Sequence, residues 1–531
     1  MIDLPLAFVP PALLIASLVV WRRAAQSTRE NPSGLPLPPG PRGLPFIGNV
    51  LDIDPARPWL TYCDWSEKYG ESLFCDLVYS SILGQDYIII NPVKVAKELF
   101  EQRSSIYSDR MNPALYDLFG ISSYTPMLGY TDEWKRHRKL FHMTLRAEAA
   151  ANCRDLNLRQ ARGLVLNMLD MSMGEAGEVD GHLAAFAATL TMAVTYGYNA
   201  SSWDDPLVAR AKMIAETLST ELPAERAMLF NTFPLFQRLP SWLPGLAVKR
   251  KAACCRGLVA EARDVPFEYA KEQMAVQLTL AGSSTRSMVS DFLRSHEDED
   301  INDGVERSTR NTASAVFLAG VDTTSSSLLV FVLAMTLHSD VQERARAEIH
   351  AVLGSNELPA FEHRASLPYV EAVLREVLRW HPVVPLGIPH ATSTSDIYNG
   401  YHIPKGLSVV CVSRMSRPSS DPDATRFNPE RHLLPNGQLA PDVSCTSDPV
   451  FGFGRRACPG KFFAEGSMWA AIVMMLSTVR FAPLVDADGK PVEVKAEFTM
   501  GAASRPAPFR CCITSVSAER ESEIRAALMS A

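Results

Sequence analysis

The sequence predicts a mainly α-helical protein with small β-sheets (an α+β body), preceded by a membrane-crossing helix. Three observations predict it. Apolar residues recur at helical spacing over 133–147, 154–174, 207–220, 309–337, 340–353, 366–380 and 460–479, and these stretches dominate the chain after residue 90. The β-like runs are short and scattered, at 86–90, 397–406, 407–413 and 509–516, without the alternation of strand and helix that builds a parallel sheet. Residues 4–21, LPLAFVPPALLIASLVVW, carry no charge over 18 positions, enough at about 1.5 Å per residue to cross a bilayer core of roughly 30 Å.

Taken in order, residues 1–30 are the expected membrane anchor. A secretory signal is the competing reading, but its apolar stretch is shorter and ends in a small-residue cleavage site. Arg22 and Arg23 on the downstream flank favour a cytoplasmic side for everything that follows. Residues 31–49, NPSGLPLPPGPRGLPFIGN, hold prolines at 32, 36, 38, 39, 41 and 45. That density denies the segment helix and most strand pairing, so it reads as a semi-rigid hinge. Residues 50–531 form one large body.

Composition bounds what that body does. With 47% hydrophobic and 21% charged residues among 531, it is globular, large enough for a core without staples, and free of internal repeats. A net charge of −7 argues against a nucleic-acid partner. Ten cysteines show no disulfide spacing, and four of them form the adjacent pairs Cys254–Cys255 and Cys511–Cys512. Such usage fits a reducing compartment.

Chemistry concentrates at FGFGRRACPGKFF, residues 451–463. A lone intracellular cysteine is usually a buried inert thiol. Here, however, Pro459 suits the first turn of a helix, so Cys458 precedes a helix amino terminus, where free N–H groups and the dipole favour a thiolate. Gly452, Gly454 and Gly460 let the backbone pass close to a flat group, and Arg455 and Arg456 offer charge to an anion. Thiolate, close backbone and arginine together suit a haem, sulfur to iron and guanidinium to propionate. A zinc site needs further ligands at short spacing, and a covalent c-type haem needs C-x-x-C-H; neither is present.

FGFGRRACPG matches F-x-x-G-x-R-x-C-x-G, and the chain thereby resembles the cytochrome P450 family of haem-thiolate monooxygenases over about residues 35 to 515. The resemblance implies the cytochrome P450 fold, a haem-binding catalytic domain over 50–531, and Cys458 as axial ligand of the iron. It makes Arg456 a propionate partner, Phe451 a shield for the sulfur, and Gly460 part of the haem-binding loop. Trp134 and Arg138 match W-x-x-x-R of the family's haem-crossing helix and share one face at i, i+4. His390, in GIPH, falls where the family often carries a further propionate donor. Glu376–Val377–Leu378–Arg379 is the family's E-x-x-R, and FNPERH at 427–432 resembles its PERF segment. Arg431 would then join Glu376 and Arg379 in a buried structural lock. The segment SRMSRPSSDPD, 413–423, departs from the family's usual aromatic-containing pattern.

AGVDTT, 319–324, resembles the family's oxygen-handling element. A second membrane span is the bland reading of the surrounding run, but Asp322 at its midpoint and its many hydroxyls make that costly. Thr323 can bond a carbonyl one turn back, and Gly320 is expected to open a groove for dioxygen on the iron. Asp322 and Thr323 would pass protons to it. The resemblance places pocket walls near Tyr116–Phe119, Phe317, Ala319, Val383–Ile388 and Thr499–Ala502, mostly apolar, for a hydrophobic small molecule. FNTFPLFQRLPSWLPG, 230–245, reads as a lipid-dipping or core segment. Lys135, Arg136, Lys139, Arg455 and Lys461 form an expected docking face.

These residues imply a single-pass protein of the endoplasmic reticulum membrane with its catalytic domain in the cytoplasm. It would be a monooxygenase of the kind found in fungal secondary-metabolite biosynthesis, acting on a terpenoid, polyketide or indole. No flavin or nicotinamide fingerprint occurs, so NADPH serves only through a separate NADPH–cytochrome reductase. A haem-thiolate isomerase or dehydratase needing no external electrons is the first alternative, and a non-enzymatic haem-binding protein the second.

Overall fold

The apolar run expected at 309–337 is part of a 35-residue helix, Asp303–Leu337, around which the other helices pack. In the computed structural model it is long and apolar enough to cross a membrane, yet 72% of its most apolar window is buried within the protein. Its hydroxyls fit that interior by bonding their own helix. Thr312 donates to Ser308 O at 2.6 Å, Ser325 to Val321 O at 2.8 Å and Thr336 to Val332 O at 2.8 Å. The structure describes residues 31 and 33–529 except 71–75, 172–177, 200–204, 223, 234, 244, 281–285, 296–302, 355–356, 413–422, 424 and 442–447. The expected anchor at 1–30 and all but Asp423 of the unusual 413–423 segment lie outside those residues.

Against this central helix lie Glu178–Tyr196, Val248–Leu280, the crossing helix Asp132–Leu145, Pro368–Trp380 and Lys461–Thr478. The sequence did not mark Glu178–Tyr196. That helix is apolar on nearly every side and buries Leu183, Phe186, Leu190 and Met192 together, so it shows no amphipathic contrast. Where it meets the central helix, a Cβ on Gly320 would stand 2.5 Å from Thr191 Cγ2. On the side it turns to Thr191, the glycine thus permits a close helix–helix approach.

The strands are β1 Leu77–Ile82, β2 Gln85–Ile90, β3 His390–Ala391, β4 Asp396–Tyr398, β5 Tyr401–Ile403, β6 Ser408–Cys411, β7 Val479–Ala482 and β8 Cys512–Ser515. They form a four-stranded sheet of order β1–β2–β6–β3 and two hairpin-like pairs, β4–β5 and β7–β8. The 397–406 run folds back at Asn399 and Gly400, both at positive φ (50° and 82°), as an Asn-Gly turn favours. The proline-rich segment is bonded to the sheet region: Tyr79 N–H donates to Pro39 O at 2.8 Å and His402 N–H to Pro36 O at 2.9 Å. One large apolar cluster fills the helical part and two smaller ones flank the sheet.

Candidate haem-thiolate site

Cys458 lies where the chain turns into the helix Lys461–Thr478, two residues before its N-cap, Gly460. The Cys458 N–H donates to the Phe451 carbonyl at 2.6 Å and closes the turn. At Gly454, φ is +54° and a Cβ would stand 2.1 Å from the Phe100 carbonyl, so only glycine fits this backbone-to-backbone contact. Cys458 keeps accessible surface, yet burial is the main influence on its thiol and pushes it up. The sulfur therefore opens onto an internal space. Hydrogen bonds from the Gly460 and Lys461 backbone and the charge of Arg138 act in the opposite sense and favour the thiolate.

Three guanidiniums gather near one another, and the charge of one of them, Arg138, reaches the sulfur. Arg138, from the crossing helix that Thr131 caps at Trp134 N (3.3 Å), donates to Ala457 O at 2.8 Å. Arg456 donates through Nε to Ser108 O at 2.8 Å and lies 4.3 Å above the Trp134 ring. Its two terminal nitrogens are buried with no hydrogen-bond partner among the described residues. Arg110, which no motif marked, donates to the carbonyls of Pro126 and Ile388. Burial, then the Arg456 charge, lowers Arg110 to about 9; burial, with a contribution from Arg138, lowers Arg456 to about 10. Asp109, the nearby carboxylate, already accepts the backbone N–H groups of Arg110 and Tyr130 at 2.9 Å each. A buried cation without a partner is costly, so this donor set fits a flat group that brings its own carboxylates and an iron for the thiol.

His390 opens β3 with Nδ1 2.7 Å from the Tyr107 carbonyl. A carbonyl only accepts, so Nδ1 carries the hydrogen. Burial first, then the Arg110 charge, holds this imidazole far below its ordinary pKa. Its Nε2 is therefore bare, and donation to a propionate requires a second proton. Phe451 is half-buried, and its ring lies 5.8 Å from Lys461 Nζ.

On the central helix, Ala319 is exposed although the helix around it is buried, and Thr323 one turn on is half-buried. This face too opens inward. Thr323 Oγ1 donates to Ala319 O at 2.8 Å, the bond the sequence anticipates. Burial pushes the Asp322 carboxyl up, and it makes no ion pair among the described residues.

Glu376 is fully buried and gathers more partners than the sequence indicated. Arg379 reaches it through Nε and Nη2 at 2.6 Å each, Arg431 Nε at 3.2 Å, His432 Nε2 at 2.9 Å and Asn428 N–H at 2.7 Å. Burial pushes this carboxyl up, but the bonds from Arg379 and His432 outweigh it and leave it below the ordinary range. Lys135, Arg136, Lys139 and Arg455 are exposed, and Lys135 and Arg455 both lie over the Tyr130 ring, at 5.5 and 5.4 Å. Of the 230–245 segment, Phe230 is core while Phe233, Leu235 and Trp242 are exposed, as are Leu44, Phe46 and Leu51. A separate polar cleft of about 450 Å³, lined in part by Arg263, Asp264, Glu306 and Arg310, shares none of the site residues.

The family model described as Cytochrome P450 matches residues 38–513. Among curated relatives, Cytochrome P450 monooxygenase 208 of Postia placenta is 36% identical over 96% of this chain and 95% of its own length. Cytochrome P450 monooxygenase 136 of the same fungus is 34% identical over 94% and 92%. Cytochrome P450 monooxygenase COX1 of Coprinopsis cinerea is 32% identical over 94% and 96%. By the reach of these matches along both partners, the chain belongs to the cytochrome P450 family.

Proposed function

We propose that this enzyme oxidises a hydrophobic small molecule in fungal secondary metabolism, with terpenoid, polyketide and indole scaffolds as substrate classes in that order. The family makes it an oxygen-incorporating oxidoreductase whose haem is held by a cysteine thiolate and supplied with electrons by a reductase. The observation that carries the residue assignment is the buried, unpartnered end of Arg456, two residues before Cys458 in the chain. When bound, haem supplies activation of dioxygen and transfer of one oxygen atom to a substrate C–H bond. Cys458 holds the iron, Gly460 and Lys461 N–H groups stabilise its negative sulfur, and Phe451 screens it. Arg456 and Arg138, stacked about Trp134, and Arg110 hold the propionates; His390 joins them once its Nε2 is protonated beside a carboxylate.

The Thr323 hydrogen is committed to Ala319 O, so its oxygen presents lone pairs to the pocket. To pass a proton on, the hydroxyl turns its hydrogen from Ala319 O into the pocket and gives it up as its oxygen accepts one from the Asp322 side, which keeps it neutral. The exposed cations around Tyr130 supply a face for an NADPH–cytochrome reductase. The exposed apolar residues at 44–51 and 233–242 offer lipid contacts to a body that an N-terminal anchor holds on the cytoplasmic side of the endoplasmic reticulum.

Reduced membranes from cells expressing the chain with a reductase should show the thiolate-type carbon monoxide band, and Cys458→Ser should abolish it. Metabolite profiles of the same cells, fed the three scaffold classes, should gain an oxygenated product that depends on NADPH. A serine variant that keeps the band sinks the assignment; turnover without NADPH and dioxygen sinks the monooxygenase reading.

A further inference from the structure

The polar cleft of about 450 Å³ has walls from three segments. The central helix gives it Glu306, Arg307, Arg310 and Asn311, the helix Val248–Leu280 gives Arg263 and Asp264, and the loop ahead of the crossing helix gives Ser123. It stands apart from the expected haem pocket. Asn311 comes eight residues before Ala319, roughly 12 Å along the helix axis. The groups next in line on two of the walls are bonded to each other: the hydroxyls of Tyr124 and Ser314, both buried, are 2.6 Å apart.

Most of the charge around the cleft is already spent. Arg263 holds Asp264 through Nε at 2.8 Å and Nη2 at 2.9 Å. Arg310 donates to Asp264 at 3.2 Å and to Glu268 and Glu306 at 2.7 Å each, and Lys271 donates to Glu306 at 3.1 Å. Three cations thus meet three carboxylates. Arg307 is a fourth cation, exposed and without an ion pair among the described residues. Asn311 is only 4% exposed, yet its side-chain amide has no hydrogen-bond partner among the described residues. A buried amide left unpaired is destabilising, so one that lines a cleft points to a guest that completes it. Arg307 and Asn311 are four residues apart on one helix, and that spacing puts them on the same face.

We propose that this cleft binds a small organic monoanion, a carboxylate with an amide beside it. The Arg307 guanidinium meets the carboxylate. Asn311, donor and acceptor at once, pairs with the amide in both directions, and the Ser123 hydroxyl serves the guest from the facing loop. One uncommitted cation suits a single negative charge. Asp264 and Glu306 line the same cleft and repel a second one, so a carboxylate is favoured over a phosphate dianion. The Tyr124–Ser314 bond lies between this guest and the deeper helix face that carries Ala319 and Thr323. The guest is therefore a ligand additional to the molecule being oxidised.

The test titrates the haem-loaded full chain by calorimetry with hippurate, a monocarboxylate carrying one amide. Heat should saturate at one site per chain while the haem absorption band stays unmoved, which separates this cleft from the haem pocket. Hippuramide, the same molecule without its charge, and benzyl phosphate, largely dianionic, should each bind several-fold more weakly. Arg307→Gln, at an exposed position, should weaken hippurate roughly tenfold. Asn311→Leu should weaken it roughly two- to tenfold. The probe-free Asn311→Leu protein should melt no lower than the parent, since leucine replaces an amide that had no partner. A lower melting temperature shows that the amide serves the fold and overturns its assignment to a guest; Arg307→Gln then still judges whether the cleft takes an anion. The proposal also falls if no saturable heat appears, if the haem band moves with hippurate, or if either variant binds like the parent. Hippuramide that matches hippurate, or benzyl phosphate that exceeds it, overturns the monoanion.

Discussion

Gly320→Ala separates a packing role for this glycine from an oxygen-groove role. A methyl there would stand 2.5 Å from Thr191 Cγ2, whereas carbon atoms rest at about 3.5–4.0 Å. Two effects compete. Alanine is favoured over glycine inside a helix by about 1 kcal/mol, while overpacking a close contact costs about 1–3 kcal/mol. The variant should therefore range from neutral to about 2 kcal/mol less stable. Thr191→Ser deletes the obstructing methyl but keeps the hydroxyl that donates to Ala187 O at 2.8 Å. The next atom, Thr191 Cβ, is 3.7 Å from the new methyl, an ordinary contact. In that background Gly320→Ala should stabilise by about 1 kcal/mol. The two backgrounds should thus differ by about 1–3 kcal/mol, measured as a double-mutant cycle by thermal unfolding of the four haem-loaded proteins under circular dichroism. A coupling energy near zero would refute the steric argument.

Glu376→Ala strands Arg379 and Arg431 and should cost about 3–5 kcal/mol, seen as a lower urea midpoint and little carbon-monoxide-competent protein; a normal yield counts against the lock. Because the folded Glu376 carboxyl sits below its ordinary value, its contribution is complete above the unfolded pKa of about 4.3 and disappears as pH falls through the lower folded value. Glu376→Gln should flatten that acid limb of stability. Asp322 has the opposite sign: raised by burial, its carboxyl costs stability as pH climbs through the folded pKa. Asp322→Asn should therefore gain on the parent as pH rises above the ordinary carboxylate pKa of about 3.9, read from melting temperatures across a pH series. Arg456→Met removes a buried cation whose two terminal nitrogens are unpartnered, so the haem-free chain should melt no lower than the parent while the loaded protein gives up haem to apomyoglobin several-fold faster. A lower melting temperature without haem would contradict the assignment.

The part of the candidate site that the sequence offers is the part whose residue types are packed into short stretches. Cys458, Arg456 and Gly454 lie within five positions, and Trp134 with Arg138 shares one helical face, so short motifs that resemble the family's pick them out. Arg110 was invisible: it sits singly in a loop, and only the fold brings it beside Arg456. His432 reads as the end of a motif and gains meaning only from its 2.9 Å contact with Glu376. Arg505 pairs with Asp180 at 3.4 Å and Glu216 at 3.1 Å, three residues from segments that no linear pattern connects. At the level of elements, amphipathic helices such as Pro368–Trp380 announce themselves, whereas Glu178–Tyr196, apolar on nearly every side, offers no periodicity to read. Helix Val248–Leu280 was hidden by Pro266 within it.

The pairing of Pro36 and Pro39 carbonyls with the His402 and Tyr79 amides bears on how a detergent-free version should be cut. Since β1 is the outermost strand of its sheet, deleting the prolines would bare polar backbone along a rim where another copy could add a strand. A truncation that starts upstream of Pro36 keeps the rim covered, while one that starts past Pro39 invites precipitation even though every catalytic group is retained.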